Sequence, residues 1–131
     1  MNLPKLLIVD DAFTILSLIE SMCKNEYEVL KCRSVVDAKE KLESNIPDII
    51  ITDLNMPDES GEMLVNYLKN DPRFSGIPLI VLSGSDDLET KLRMLKTGVD
   101  DFVQKPFNLE ELSLRTNNIL RRYNAKNKFV I

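Results

Sequence analysis

The sequence predicts a doubly wound α/β domain, and three observations carry that prediction. Five short apolar runs recur along the chain, at residues 6–9, 27–32, 49–52, 79–82 and 102–103. Segments with helical spacing separate them. The third and fourth runs, Ile49-Ile50-Ile51 and Leu79-Ile80-Val81-Leu82, show no polar alternation, which suits strands covered on both faces of a parallel sheet. Parallel strands need crossover helices, so five strands alternating with five helices place helices on both sides of one sheet.

Each element has its own local reason. After LLIV at 6–9, apolar residues Ile15, Leu16, Leu18, Ile19 and Met22 predict a helix over 12–24 with a broad buried stripe. Residues 27–32 partly alternate, as a strand nearer a sheet edge does. Ser34 is the N-cap expected for a helix over 35–43, with Val35, Ala38 and Leu42 inward. A helix over 62–69 groups Met63, Leu64, Tyr67 and Leu68, and Asp71-Pro72 stops it. A helix over 87–97 carries Leu88, Leu92 and Leu95, with Gly98 where a left-handed C-terminal cap is wanted. Asn108 caps a helix over 109–123, with Glu110 and Glu111 in its first turn and Arg121 and Arg122 in its last, complementing the macrodipole. Residues 1–123 thus make one domain, and 124–131 read as a C-terminal tail or the start of a linker.

Composition removes several classes. The chain has 131 residues, 44% of them apolar, enough for one sizeable core. Seventeen Lys plus Arg against 21 Asp plus Glu leave a net charge of −4, which disfavours direct nucleic-acid binding. There is no His, so imidazole catalysis, His metal sites and a phosphohistidine on this chain are excluded. Two cysteines, Cys23 and Cys32, are too few for a zinc cluster and read as buried apolar residues. The longest uncharged stretch, 74–85, is too short to span a bilayer and contains Pro78. The N-terminus lacks the pattern of a secretory signal, so a soluble, cytoplasmic domain is expected.

In doubly wound folds, functional groups collect beyond the C-terminal ends of the strands. The first run delivers Asp10-Asp11, the third Asp53, the fourth Ser83, and the fifth is followed by Lys105-Pro106. Three carboxylates in one cleft repel, and one Lys cannot balance them. A hard divalent cation can: Mg2+ takes oxygen ligands and binds through one or two carboxylates plus phosphate. A carboxylate beside such a cation can attack phosphorus, with the cation, the Lys105 ammonium and the Ser83 hydroxyl each holding one equatorial oxygen. Asp53 is the best nucleophile candidate, lying between the acidic pair and Ser83/Lys105. Taken singly, Asp10-Asp11 or Asp53 could equally be a helix or turn cap, and Ser83, Lys105, Pro106, Phe102 and Asn55 each have ordinary structural readings.

At these residues the sequence resembles the receiver domain of two-component response regulators. The stretches LLIVDDAFT, PDIIITDLNMPDESGEMLV, IPLIVLSGS and GVDDFVQKPFNLEEL carry the likeness, in order, over about residues 5–123. The resemblance implies a flavodoxin-like, chemotaxis-regulator-like sheet of order 2-1-3-4-5. It implies a phosphoprotein of signal transduction, or of a phosphorelay, rather than a turnover enzyme. Asp53 would accept phosphoryl from a phosphohistidine on a histidine kinase or phosphotransfer protein. Asp11 and Asp53 would ligate Mg2+ (or Mn2+) directly, Asp10 through water, and Asn55 through its backbone carbonyl. Lys105 would hold phosphoryl oxygens, Ser83 would turn inward to them, Phe102 would be the aromatic switch residue, and Pro106 would follow a cis peptide bond. Three departures stand out: Gly84 where Ala is usual, Ser60 before Gly61 where Asp is commoner, and Phe102 without a hydroxyl.

Competing readings fit less well. An Asp-nucleophile phosphatase needs a second Asp two positions on, but Ala12 follows Asp10 and Asn55 follows Asp53 at that spacing. A flavodoxin needs a Ser/Thr/Gly phosphate loop where this chain has Asp-Asp-Ala. A phosphate-independent pseudo-receiver typically lacks an acidic or Lys position, and none is missing here. The expected output surface is the fourth helix, fifth strand and fifth helix, with Lys91, Leu92, Asp100, Asp101, Glu111, Arg115 and Arg122. A phosphorylation-dependent two-fold dimer would pair Lys91 with Glu111 and Asp101 with Arg115 around Leu92; the alternative is a solvated face with ordinary intrahelical pairs.

Overall fold

The computed structural model describes residues 2–57 and 59–129. The elements run β1 (Lys5–Val9), α1 (Phe13–Cys23), β2 (Glu28–Cys32), α2 (Val35–Ser44), β3 (Ile49–Asp53), α3 (Gly61–Asn70), β4 (Leu79–Ser83), α4 (Leu88–Thr97), β5 (Asp101–Gln104) and α5 (Leu109–Phe129). The five strands form one sheet of order β2-β1-β3-β4-β5, parallel at every pairing. Every residue of the central strands β3 and β4 is buried, whereas the edge strand β2 is largely half-exposed. That contrast is the one read from continuous against alternating apolar runs.

Two cores flank the sheet. One gathers Leu7, Val9, Ile50 and Val81 with Val35, Leu42, Leu64, Phe74 and Met94, on the side of α2, α3 and α4. The other gathers Leu6, Ile8, Ile51 and Leu82 with Leu16, Ile19, Leu112 and Ile119, on the side of α1 and α5. Alternate residues of each strand feed opposite cores because successive side chains point to opposite faces. Local signals hold where they were expected. Ser34 Oγ accepts the Asp37 N–H at 3.0 Å, Asn108 Oδ1 accepts the Glu111 N–H at 2.9 Å, and Gly98 ends α4 at φ 108°. Cys23 and Cys32 are buried and unbridged.

The structure settles the facing of α3 and α4, and it corrects two expectations, the inward placement of Leu18 in α1 and the end of α5. In α4 only Met94 is buried, while Leu88, Leu92 and Leu95 are 64%, 46% and 43% exposed. In α1 the buried set is Leu16, Ile19 and Cys23, and Leu18 faces outward. In α3 Met63 is exposed, and Gly61, Leu64, Val65 and Leu68 are buried. Finally, α5 continues to Phe129 rather than ending at Tyr123, so Arg121 and Arg122 lie inside the helix and not in its last turn. Of the expected tail, Val130 and Ile131 fall outside the described residues. Among the described residues no helix is long and apolar enough to cross a membrane.

Candidate functional site

β1 is flanked by β2 on one side and β3 on the other, so chain direction reverses its sideways travel there and the strand ends open a crevice. Val9 pairs with Thr52, which sets Asp10 and Asp53 at adjacent strand ends. Asp10, Asp11 and Asp53 each offer a carboxylate oxygen within 4.8 Å of the others. Asp10 and Asp53 are almost wholly buried, at 0% and 2% exposure, and Asp11 is half-buried.

Lys105 closes this cluster. Its Nζ donates to Asp10 Oδ2 at 3.0 Å and lies 3.4 Å from Asp53 Oδ2. A cis peptide bond joins Lys105 to Pro106, as expected, and the Lys105 N–H donates to the Ser83 carbonyl at 2.7 Å. The other carboxylate oxygens are held locally: Asp10 Oδ1 accepts the Ala12 N–H at 2.9 Å, and Asp53 Oδ1 accepts the Asn55 N–H at 3.2 Å. The turn-capping role considered for Asp53 is thus real, whereas Asp10 is not the helix N-cap: Ala12 holds that position of α1, with no side-chain cap bond, and Asp10 is oriented by the Ala12 N–H instead.

The electrostatics follow from burial. Desolvation pushes the Asp53 carboxyl above its ordinary range; the Asn55 N–H pulls it back, Asp10 adds repulsion, and Lys105 again opposes. Burial also pulls the Lys105 ammonium down, but the Asp10 hydrogen bond and charge, with Asp53 behind them, outweigh it, so its pKa stands above the usual value. Three carboxylates against one ammonium leave an excess of negative charge in a cleft of about 310 Å³. An all-oxygen donor set of this kind fits a hard dication such as Mg2+ and offers nothing to a soft one.

The cleft is lined by Asp10, Asp11, Ala12, Asp53, Asn55, Gly84, Ser85 and Lys105. Ser83 lies just behind this wall, buried, with its hydroxyl engaged by the Ser85 backbone. Ala12 and Ser85 were not singled out from sequence; Ser85 follows the predicted strand end by two residues, and nothing else marked it. Asn55 Oδ1 reaches across the cleft to the Gly84 N–H at 3.4 Å. Gly61 is a further residue the sequence reading left without a role. A Cβ there would lie 2.0 Å from the Asp53 carbonyl oxygen, so only glycine lets the start of α3 sit against the end of β3. Phe102 is partly buried and packs on the core beneath α4.

The charges of the expected output face are largely satisfied within the chain. Arg115 pairs with Asp101 at 3.0 Å and with Glu111 at 3.3 Å. The Asp100 carboxylate accepts the Leu79 N–H at 2.8 Å and the Tyr123 hydroxyl at 2.7 Å. Lys91 and Arg122 make no ion pair among the described residues.

Comparison with known proteins agrees with this geometry. The family model described as "Response regulator receiver domain" matches residues 6–117. The heme response regulator HssR of Staphylococcus aureus is 40% identical over 119 residues, covering 90% of this chain and 52% of the regulator. Hybrid signal transduction histidine kinase D of Dictyostelium discoideum is 34% identical over 125 residues, 95% of this chain but 8% of the kinase. A CheY-like receiver domain structure from Methanospirillum hungatei superposes with a TM-score of 0.88 at 25% identity, covering 95% of this chain and 99% of that one. The chain therefore spans about half of the regulator and a small fraction of the kinase.

Proposed function

This chain belongs to the response regulator receiver domain family, and on that premise we propose that Asp53 accepts a phosphoryl group from a phosphohistidine of a histidine kinase or phosphotransfer protein. The family is one of phosphoacceptor signalling modules rather than turnover enzymes. In the proposed step an Asp53 carboxylate oxygen forms a bond to phosphorus as the P–N bond to the donor imidazole breaks, its electron pair leaving with the imidazole nitrogen. The single observation that carries the reading is Asp53 held 3.4 Å from Lys105 within a three-carboxylate cluster.

The roles divide by position. Lys105 neutralises phosphoryl oxygens as charge builds. The Ser83 hydroxyl turns from the Ser85 backbone toward the new phosphoryl group, and the partly buried Phe102 ring turns further inward against the core beneath α4. Asp10, Asp11 and Asp53, with the Asn55 carbonyl, would hold Mg2+ or Mn2+. When bound, the ion would supply neutralising charge and a fixed coordination position for a phosphoryl oxygen. A cleft of about 440 Å³ lined by Ile15, Leu18, Lys105, Pro106, Phe107 and Leu109 adjoins the acidic site, and its apolar wall suits a donor protein docked beside Asp53.

The test is incubation with acetyl phosphate and Mg2+ followed by intact mass. Wild type gains one phosphoryl group and Asp53→Ala gains none; equal labelling of both refutes the assignment, and labelling without a divalent ion refutes the metal roles. Output through α4, β5 and α5 is favoured by the three exposed leucines of α4. A two-fold dimer there requires Arg115 to exchange its own Asp101 for a partner's, so Asp101→Arg abolishes beryllofluoride-dependent dimerisation in sedimentation, and persistence of the dimer removes that pairing.

A further inference from the structure

Ser83 stands at one end of a chain of hydrogen bonds that leaves the cleft and finishes on an ion pair between two helices. Its Oγ accepts the Ser85 N–H at 3.1 Å and donates to the Ser85 carbonyl at 3.2 Å. The Ser85 hydroxyl oxygen accepts the Asp87 N–H at 3.1 Å. Asp87 caps α4, accepting the Glu89 N–H at 3.2 Å and the Thr90 hydroxyl at 2.8 Å. The Thr90 oxygen accepts from Arg93 Nη2 at 3.5 Å. The Arg93 guanidinium then grips Glu62 of α3 with two bonds, Nε to Oε1 and Nη2 to Oε2, the latter at 3.1 Å. Glu62 directly follows Gly61, which lies against the Asp53 carbonyl, so the chain of contacts begins and ends beside the acceptor.

We propose that the Glu62–Arg93 pair is an autoinhibitory strap that holds α4 in its unphosphorylated position and opposes the change that phosphorylation of Asp53 brings about. The proposal rests on the reading of Asp53 as phosphoacceptor and Ser83 as the hydroxyl that turns toward it. The need for a strap comes from how α4 is anchored. Met94 is its only buried residue, and its leucines face outward, so burial alone fixes its position weakly. A two-bonded guanidinium–carboxylate pair is the surface ion pair best able to add to that anchorage.

The direction of coupling follows from bonds that cannot coexist. Turning the Ser83 hydroxyl toward a phosphoryl group breaks both its bonds to Ser85 and frees the turn that seats Asp87. The first turn of α4 then loses its cap support, and Thr90 and Arg93 shift with it, away from Glu62. Linkage makes this reciprocal: weakening the strap favours the Ser83 rotation, and so favours ligands that require it. Contiguous contacts by themselves are not coupling, so the test has to measure it.

Glu62→Gln, Arg93→Gln, the double neutral variant and the charge-swapped Glu62→Arg/Arg93→Glu pair provide that test, since Arg93 is half-exposed and Glu62 partly so. The first measurement is hydrogen exchange at α4 amides with no phosphodonor; the second is titration with beryllofluoride and Mg2+. Each single variant is expected to speed α4 exchange and tighten beryllofluoride binding about two- to fivefold. The double neutral variant gains no more than either single one, and the swapped pair returns toward wild type. Unchanged α4 exchange, or single effects that add without rescue by the swap, overturns the strap. A wild-type chain that takes no beryllofluoride overturns the acceptor reading and the proposal with it, and this outcome is distinct because it shows in wild type alone.

Discussion

The ends of β1 and β3 and the helix α4 are anchored in opposite ways. All five residues of β3 are buried, the last is Asp53, and its carboxylate is fixed by a backbone N–H and by Lys105. α4 has one buried side chain, a cap at each end and the Arg93–Glu62 pair at its surface. Chemistry at phosphorus needs groups placed to a fraction of an ångström, which a fully buried parallel strand provides. A surface that reports a chemical change must have two positions of similar free energy, which a lightly anchored helix provides. The molecule therefore places Asp53 at the end of a fully buried strand and exposes apolar surface on a helix with one buried side chain.

That contrast can be broken by substitution, beginning where the effect is largest. Ile51→Ala, two residues before Asp53 in the buried strand, is expected to cost about 2–5 kcal/mol in denaturant unfolding, because the cavity cannot close. A loss under about 1 kcal/mol would show that β3 is not the rigid support described. Next is Gly61→Ala: its Cβ would meet the Asp53 carbonyl oxygen at 2.0 Å. The expected cost is about 1–3 kcal/mol, with acetyl phosphate labelling slowed about tenfold or more as Asp53 is displaced. Unchanged labelling would separate the start of α3 from the placement of Asp53.

A smaller effect comes from pH. Burial pushes the Cys23 and Cys32 thiols up from 9.0 to about 11 and about 12, and Tyr27 from 10.0 to about 12. Each group is neutral when protonated, so its contribution is fully present below the unfolded value and is lost as pH rises through the folded one. Unfolding midpoints should stay level to about pH 9 and fall toward pH 11–12, and both thiols should resist alkylation in the native chain at neutral pH. Rapid labelling of either would contradict its burial. Smallest is Leu92→Ala on α4, expected within about 0.5 kcal/mol of wild type because Leu92 is already 46% exposed. A larger loss would mean that α4 is seated more deeply than its burial indicates.

Legibility in the sequence followed the range of the interactions involved. Asp10, Asp53, Ser83 and Lys105 could be named because each follows an apolar run, and a doubly wound sheet brings strand ends together. Ser34, Asn108 and Gly98 could be named because a cap is settled by a hydrogen bond or a φ angle within a few residues. Ser85 was missed because it lies in a loop whose path depends on β4 and α4 together. The role of Gly61 was missed because its neighbour is the backbone of Asp53, eight positions away in another element. The facing of α4 was legible only in part: Leu92 was placed on the output face, but Met94, the residue that meets the core, carried no mark in the sequence.

What the sequence alone determined was the alternation of strand and helix, the order of the chemical groups along the chain, and the local caps, since periodicity and turn chemistry act between near neighbours. Tertiary structure alone decided which apolar stripe stays wet, that Arg115 satisfies Asp101 within its own chain, that α5 runs on past Tyr123, and that successive hydrogen bonds lie between Ser83 and Glu62. The physical reason is that desolvation and long-range hydrogen bonds depend on atoms contributed by distant parts of the chain, and these meet only when the sheet has assembled.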